Sequence, residues 1–99
     1  AALGGNFFAG VCINLLRHPA WGRAQETYGE DSYALGEFGA ALTRGVREHV
    51  MACVKHFAGN GATEAGRDYS GADLSERAVR ETQLPPHGRR LGRRFGRGQ

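Results

Sequence analysis

Residues 50–61, VMACVKHFAGNG, decide the fold of this chain. The apolar run Val50–Val54 predicts a short buried strand. A lysine, a histidine and a phenylalanine follow it, and the chain then continues in small and polar residues. Polar groups that follow a buried strand in this way are typical of the carboxyl end of a parallel strand, where α/β proteins bind ligands.

A second strand of this kind comes earlier in the chain. The run Val11–Leu16, VCINLL, predicts a strand that is buried on both faces, as parallel strands are. The segment Arg17–Ser32 shows no hydrophobic period and contains one proline and two glycines. It therefore predicts a long loop of the kind that carries function.

The two strands are expected to be joined by a helix from about Tyr33 to His49, capped by Asp31 or Ser32. Apolar residues recur in it at spacings of three and four and predict one buried stripe: Ala34, Leu35, Phe38, Ala41, Leu42 and Val46. Glycines weaken this helix intrinsically, and their density suits a close approach to a sheet.

The second strand is expected at Val50–Phe57, and a second loop follows at Ala58–Ala72. Asp73 and Glu76 fit a capping box and predict another helix, which ends at Pro85-Pro86. Its inward residues are expected to be Leu74, Ala78, Val79 and Leu84. The order β-loop-α-β-loop-α predicts an α/β fold with a parallel sheet and a right-handed crossover.

Residues 17–23 (RHPAWGR), 26–31 (ETYGED) and 55–60 (KHFAGN) carry a resemblance to a known family. Residues 3–86 resemble the N-terminal barrel domain of family 3 glycoside hydrolases, the β-glucosidase group. The resemblance implies two consecutive βα units of a (β/α)8 TIM-type barrel, incomplete as given because a full barrel has eight units and about 250 residues. The alternative, a small self-contained α/β domain, has too few strands to protect its sheet. Uncovered strand edges and helix faces predict aggregation or partial disorder for the chain alone, which needs the remainder of the barrel.

The activity that this resemblance implies is hydrolysis of a terminal β-linked sugar, with retention of configuration, by the full-length parent protein. The family's nucleophile is an Asp in a Ser-Asp-Trp-like motif on a later strand, and its acid/base residue lies later still. Neither is expected in this chain, so the isolated fragment is predicted to be inactive. The small-molecule partner would be a glycoside, and no cofactor or metal is implied.

The resemblance assigns substrate binding to Arg23, Lys55 and His56. Lysine and histidine offer hydrogen-bond donors that suit the vicinal hydroxyls of a sugar, and the guanidinium fork of arginine suits two neighbouring hydroxyls. Trp21 is expected either to stack on a sugar face or to pack beneath the loop. Glu64 and Arg67 loosely match a Glu-x-x-Arg element of some members and are possible binding or bracing residues.

Five carboxylates lie near these motifs and are not interpreted as a catalytic pair: Glu26, Glu30, Asp31, Glu64 and Asp68. Glu30 and Asp31 are expected to cap and brace the loop, with Arg17 paired to one of them. Asn14 stands where many family members have Asp, which changes a charge at the mouth of the barrel.

Charge divides the chain at residue 86. Residues 1–86 hold 8 Lys+Arg and 10 Asp+Glu, a net charge of −2, whereas residues 87–99 hold 5 Arg and no acid, a net charge of +5. The body is taken as a partial family 3 domain. The tail has three interpretations, namely a single-stranded nucleic-acid tether, a disordered end without a role, and, favoured here, sequence read out of frame. The rival function is a non-catalytic sugar-binding remnant or a basic-tailed nucleic-acid-binding module, against which the acidic body argues.

Cys12 and Cys53 each lie within an apolar run and are expected to be free, buried thiols. A disulfide between neighbouring strands is the alternative, and no ligand spacing supports a metal site. The composition, 40% hydrophobic and 23% charged, is that of a soluble globular chain. No leader or membrane-spanning stretch is found in the sequence, so a cytoplasmic location is compatible with it.

Overall fold

A two-stranded parallel sheet forms the centre of the computed structural model, which describes residues 1–90. Strand β1 spans Phe7–Cys12 and strand β2 spans Met51–Lys55. Phe7 pairs with Met51 and Cys12 pairs with Lys55, with an irregularity in register between Phe8 and Val11. The predicted parallel pairing is therefore confirmed.

The first strand lies earlier in the chain than predicted. Strand pairing ends at Cys12, and Ile13 adds one further backbone hydrogen bond, from its N–H to the carbonyl of Lys55 at 2.8 Å. Ile13, Asn14 and Leu15 are buried although they lie beyond the strand. The apolar run thus marks where the chain enters the core, whereas the strand itself begins in the exposed segment Phe7–Gly10.

Helix α1 spans Ser32–Val46 and is capped as predicted by Asp31, whose carboxylate accepts hydrogen bonds from the backbone N–H groups of Tyr33 and Ala34. The predicted apolar stripe is only partly buried: Leu35 is inaccessible, but Phe38 is 57% exposed. The buried residues of α1 instead include two glycines, Gly36 and Gly39. A Cβ atom on Gly39 would collide with the side chain of Ile13, so this glycine permits the helix to approach the sheet.

The second helical region differs from the prediction at both ends. Helix α2 is the short segment Glu76–Ala78, and a π-helical segment, Val79–Gln83, continues it. Its cap is Ser75, whose hydroxyl accepts from the Ala78 N–H, so the predicted Asp73 cap is wrong.

Helix α3 spans Pro85–Arg90, so the helical path does not end at the two prolines. A proline needs no N–H partner in the first turn of a helix, and the pair therefore starts a helix after a break at Leu84. Helix α3 packs against α1. Residues 91–99 of the predicted basic tail lie outside the described residues.

The hydrophobic core sits beneath the carboxyl ends of the two strands. Its fully buried members are Val11, Ile13, Leu15 and Leu35, and partly buried Leu42 and Val54 pack against them. Both loops that follow the strands begin directly above this cluster.

Candidate functional site

A pocket of about 430 Å³ opens at the carboxyl ends of the strands. The first loop contributes Arg23 to its wall, and the second loop contributes residues 56–60, 63, 68–70 and 72. The peptide bonds Lys55–His56 and Phe57–Ala58, at the start of the second loop, are cis. The pocket lies where the sequence predicts ligand-binding groups.

The two loops that form the pocket are held together through their backbones. The N–H of Gly22 donates to the carbonyl oxygen of Gly66 at 3.2 Å. Gly61 lies so close to the carbonyl oxygen of Leu15 that a Cβ atom there would overlap it. Since glycine alone permits this approach, the packing of backbone on backbone fixes the second loop over the end of the first strand segment.

His56 follows β2 directly and is half-buried in the pocket wall. Its backbone N–H donates to Asn14 Oδ1 at 3.2 Å, and its ring Nδ1 lies 2.8 Å from Asn14 Nδ2. Its ring Nε2 lies 3.1 Å from Nη1 of Arg23. Three contacts therefore fix the imidazole between the buried Asn14 and the pocket.

Arg23 is anchored by two carboxylates. Its Nε and Nη2 donate to the two oxygens of Glu26 at 2.7 and 2.8 Å, and its Nη1 lies 3.5 Å from Asp68 Oδ2. Lys55 Nζ lies 3.8 Å from Glu26 Oε2. Glu26 therefore joins the two cations that the sequence assigns to substrate binding.

Electrostatic interactions in this cluster shift the pKa values of Arg23, Glu26 and His56. Hydrogen bonds from Arg23 lower the pKa of the Glu26 carboxyl, and the same bonds raise the pKa of the guanidinium. Burial lowers the pKa of His56, and the charges of Arg23 and Lys55 lower it further against the opposing effect of Asp68 and Glu26. The imidazole is consequently neutral at neutral pH, between charged neighbours.

Trp21 does not line the pocket. It is 2% exposed, and its indole Nε1 has no hydrogen-bond partner. Glu64 begins the short 3₁₀ turn Glu64–Gly66, and Arg67 follows it. Both residues are exposed, and only their backbones bond to each other. The structure thus separates these three residues from the cluster of Arg23, Lys55 and His56.

Two members of the cluster, Glu26 and Asp68, were not predicted as partners of Arg23 from the sequence. Glu26 and Asp68 were considered only as catalytic candidates, and neither was expected to hold Arg23. The spacing of three residues between Arg23 and Glu26 was the available signal for one of them. The predicted ion pair of Arg17 with Glu30 or Asp31 is wrong, because within residues 1–90 Arg17 is exposed and forms no ion pair.

Cys12 and Cys53 are free thiols, the first buried and the second partly so. In the part of the chain that the structure describes, no group of three or more His, Cys, Asp and Glu side chains could hold a metal ion. No helix within residues 1–90 is long and apolar enough to cross a membrane.

Comparison with known proteins matches residues 3–93 to the glycosyl hydrolase family 3 N terminal domain. A periplasmic beta-glucosidase of Salmonella typhimurium is 35% identical over 82 residues, which cover 76% of this chain and 11% of that protein. A beta-xylosidase of Formosa agariphila is 37% identical over 75 residues, which cover 67% of this chain and 10% of that protein. The chain thus spans about a tenth of the length of these curated relatives.

Among solved structures, a beta-glucosidase from Listeria innocua superposes with a TM-score of 0.84 at 34% identity. The superposition covers 89% of this chain and 14% of that protein. The Listeria enzyme has also been solved with glucose, and a mutant of it with laminaribiose.

Proposed function

This chain belongs to glycosyl hydrolase family 3, and from that premise we propose that the complete protein hydrolyses O-glycosidic bonds of β-linked glycosides. Within it, these residues supply sugar-binding groups and neither catalytic carboxylate. The relatives are named as glucosidases and xylosidases, so a terminal glucose or xylose unit is the substrate class. We favour glucose, because the superposed Listeria enzyme has been solved with glucose and its mutant with laminaribiose.

The observation that carries this proposal is the convergence of Arg23, Lys55 and His56 at the carboxyl ends of the two strands. Arg23 and His56 are 33 positions apart in the sequence, yet Arg23 Nη1 and His56 Nε2 lie 3.1 Å apart. Lys55 reaches the same Glu26 that anchors Arg23. Cationic and neutral N–H donors grouped beside an open pocket suit the vicinal hydroxyls of a sugar.

The carboxylates of the cluster are assigned to positioning rather than to catalysis. A retaining glycosidase needs one carboxylate free to attack and a second that carries a proton. Glu26 accepts two hydrogen bonds from Arg23, and its lowered pKa keeps it ionised; Asp68 faces the same guanidinium. We therefore place the nucleophile and the acid/base residue elsewhere in the complete protein.

Architecturally, we propose that residues 1–86 form two βα units of a (β/α)8 barrel. In support, each parallel strand is followed by a loop and a helical segment, and the polar groups gather at the strands' carboxyl ends. The remaining units would pair with the outer edges of β1 and β2.

The proposal is tested by hydrolysis and binding assays on the same chain. We expect no hydrolysis of an aryl β-glucoside by the 99-residue chain, and binding of laminaribiose that is lost in Lys55→Ala. Arg44→Ala, an exposed change on α1, serves as the control and should bind as the parent chain does. Turnover by the parent chain, or equal binding by Lys55→Ala, would contradict the proposal.

A further inference from the structure

Asn14 is a polar side chain buried in the core, with 2% of its surface exposed. Its amide, the imidazole of His56 and the guanidinium of Arg23 form one continuous series of close polar contacts. The proposed function assigns no role to Asn14. Along this series, however, the hydrogen-bond donors and acceptors do not match in number.

The series consists of three contacts, and the groups at its two ends can only donate. The backbone N–H of His56 lies at one end, 3.2 Å from Oδ1 of Asn14. At the other end, Nη1 of Arg23 lies 3.1 Å from Nε2 of His56, and a guanidinium has no acceptor. Between the ends, Nδ2 of Asn14 and the ring Nδ1 of His56 lie 2.8 Å apart.

A neutral imidazole cannot satisfy all three contacts. The amide accepts at its oxygen and donates at its nitrogen, and the ring accepts at one nitrogen and donates at the other. With the ring proton on Nε2, the ring donates toward Arg23, which also donates. With the proton on Nδ1, Nε2 accepts from Arg23, but Nδ1–H faces the amide nitrogen of Asn14. Reversing the amide sets its nitrogen against the backbone N–H of His56, so every arrangement leaves two donors in contact.

Protonation of the ring enlarges the mismatch, because both ring nitrogens then donate and two of the three contacts pair donor with donor. The lowered pKa of His56 agrees with this, although burial is its main cause and Arg23 and Lys55 add to it against Asp68 and Glu26. Facing donors in a buried position are unfavourable, since neither group keeps its hydrogen bond to water.

We propose that Asn14 is a positioning residue that leaves its contacts with His56 and Arg23 one hydrogen-bond acceptor short, and that a carboxylate at residue 14 would complete them. A carboxylate accepts from both the backbone N–H and the ring Nδ1–H, so that Nε2 can accept from Arg23. The Cys12 thiol, 3.4 Å from Nδ2 of Asn14, is only a weak acceptor and takes part in none of the three contacts. The mismatch is the same whether or not the ligand of the pocket is a sugar.

Asn14→Asp in the full 99-residue chain tests this, because it changes hydrogen-bond polarity with almost no change in shape. A buried carboxylate without partners destabilises a protein. Here it would meet two donors and relieve a third, so we expect the midpoint of urea unfolding at pH 7 to rise by about 0.5 M or more.

Two controls separate this gain from a general effect of charge. In a His56→Ala background the ring is gone, and Asn14→Asp should no longer raise the midpoint. Asn60→Asp places a carboxylate in the same pocket wall, where Asn60 contacts Asp68 and not the imidazole. It should not raise the midpoint either.

The titration of His56 is a second readout, followed in ¹H–¹⁵N NMR spectra of the chain labelled with [¹⁵N]histidine. The chain has four histidines, and His56→Gln identifies the signals of His56. In the parent chain the pKa of His56 should lie below its usual value of about 6.5. The carboxylate of Asn14→Asp should raise it by about one unit or more.

The proposal would be overturned if Asn14→Asp left the urea midpoint unchanged, lowered it or prevented folding. A gain that persists in the His56→Ala background, or that Asn60→Asp reproduces, would overturn it as well, because the missing acceptor would then not be its cause. An unchanged pKa of His56 in Asn14→Asp would show that the carboxylate does not reach the ring, which would also contradict the proposal.

Discussion

The two ends of the sheet differ in how completely this chain covers them. At the carboxyl end, Val11 and Cys12 are buried, and the loops above them bond to each other. At the amino end, the paired residues Phe7 and Met51 are 53% and 66% exposed. The same two strands are thus enclosed at one end and open at the other.

This difference shows which contacts the chain supplies for itself. The side-chain contacts of His56 and Arg23 run to Asn14, Glu26 and Asp68, all of which belong to this chain. The apolar surface at the amino end has no such cover among the described residues. We expect stability to depend on the core beneath the site, and sugar binding to depend on the cluster above it.

The largest expected effect is on stability, and it separates the two ends. Leu15→Ala removes a side chain that is 1% exposed from the core beneath the site and should lower the free energy of unfolding by about 2–5 kcal/mol. Met51→Ala, at the exposed end, should change it by about 0.5 kcal/mol or less. Urea unfolding followed by circular dichroism measures both, and equal losses would show that the two ends are covered alike.

The next effect is on binding, and it tests whether the Arg23 geometry matters beyond its charge. Arg23→Lys keeps the charge but cannot make the paired hydrogen bonds with Glu26. We expect glucose binding to weaken by about tenfold or more, since hydrogen bonds to charged groups contribute about 1.5–3 kcal/mol. Isothermal titration calorimetry measures this, with Arg44→Lys on the exposed side of α1 as the control. Unchanged affinity for glucose in Arg23→Lys would show that the paired hydrogen bonds with Glu26 do not matter for binding.

A smaller effect is the pH dependence of stability. The folded-state pKa of His56 lies below its unfolded value of about 6.5, so the unfolded chain binds more protons as the pH falls through that value. The free energy of unfolding should therefore decrease from pH 7 to pH 5. His56→Gln removes this contribution, and urea unfolding at each pH should show a shallower slope for the variant. A parent chain that gains stability toward pH 5 would contradict the direction of the shift.

Local sequence signals predicted the elements better than their limits. The Asp31 cap followed from residue type, because a cap depends on neighbours close in the sequence. The parallel sheet followed from the alternation of strands with helices. The predicted position of β1 was wrong because most of VCINLL lies beyond the strand. Most of its residues there are buried in the core but are not paired in the sheet. Phe38 was expected to be buried from its helical spacing alone, which cannot tell whether another element covers that face.

The site shows the same limit. The family resemblance named Arg23, Lys55 and His56; Arg23 and His56 line one pocket, and Lys55 is linked to Arg23 through Glu26. The contact between Asn14 and His56 joins residues that are 42 positions apart, and no local pattern reports such a pair. The contact between the buried Asn14 and His56 therefore became visible only from the folded arrangement.

The most direct test of the central claim uses Lys55, which is the chain's only lysine. A chain labelled with [¹⁵N]lysine gives one backbone amide signal in a heteronuclear spectrum, at the end of β2 beside the pocket. We predict a saturable shift of this signal on addition of glucose, lost in Arg23→Ala and retained in Arg44→Ala. A signal that does not move with glucose, or that moves equally in Arg23→Ala, would contradict the claim that this chain carries a sugar-binding site.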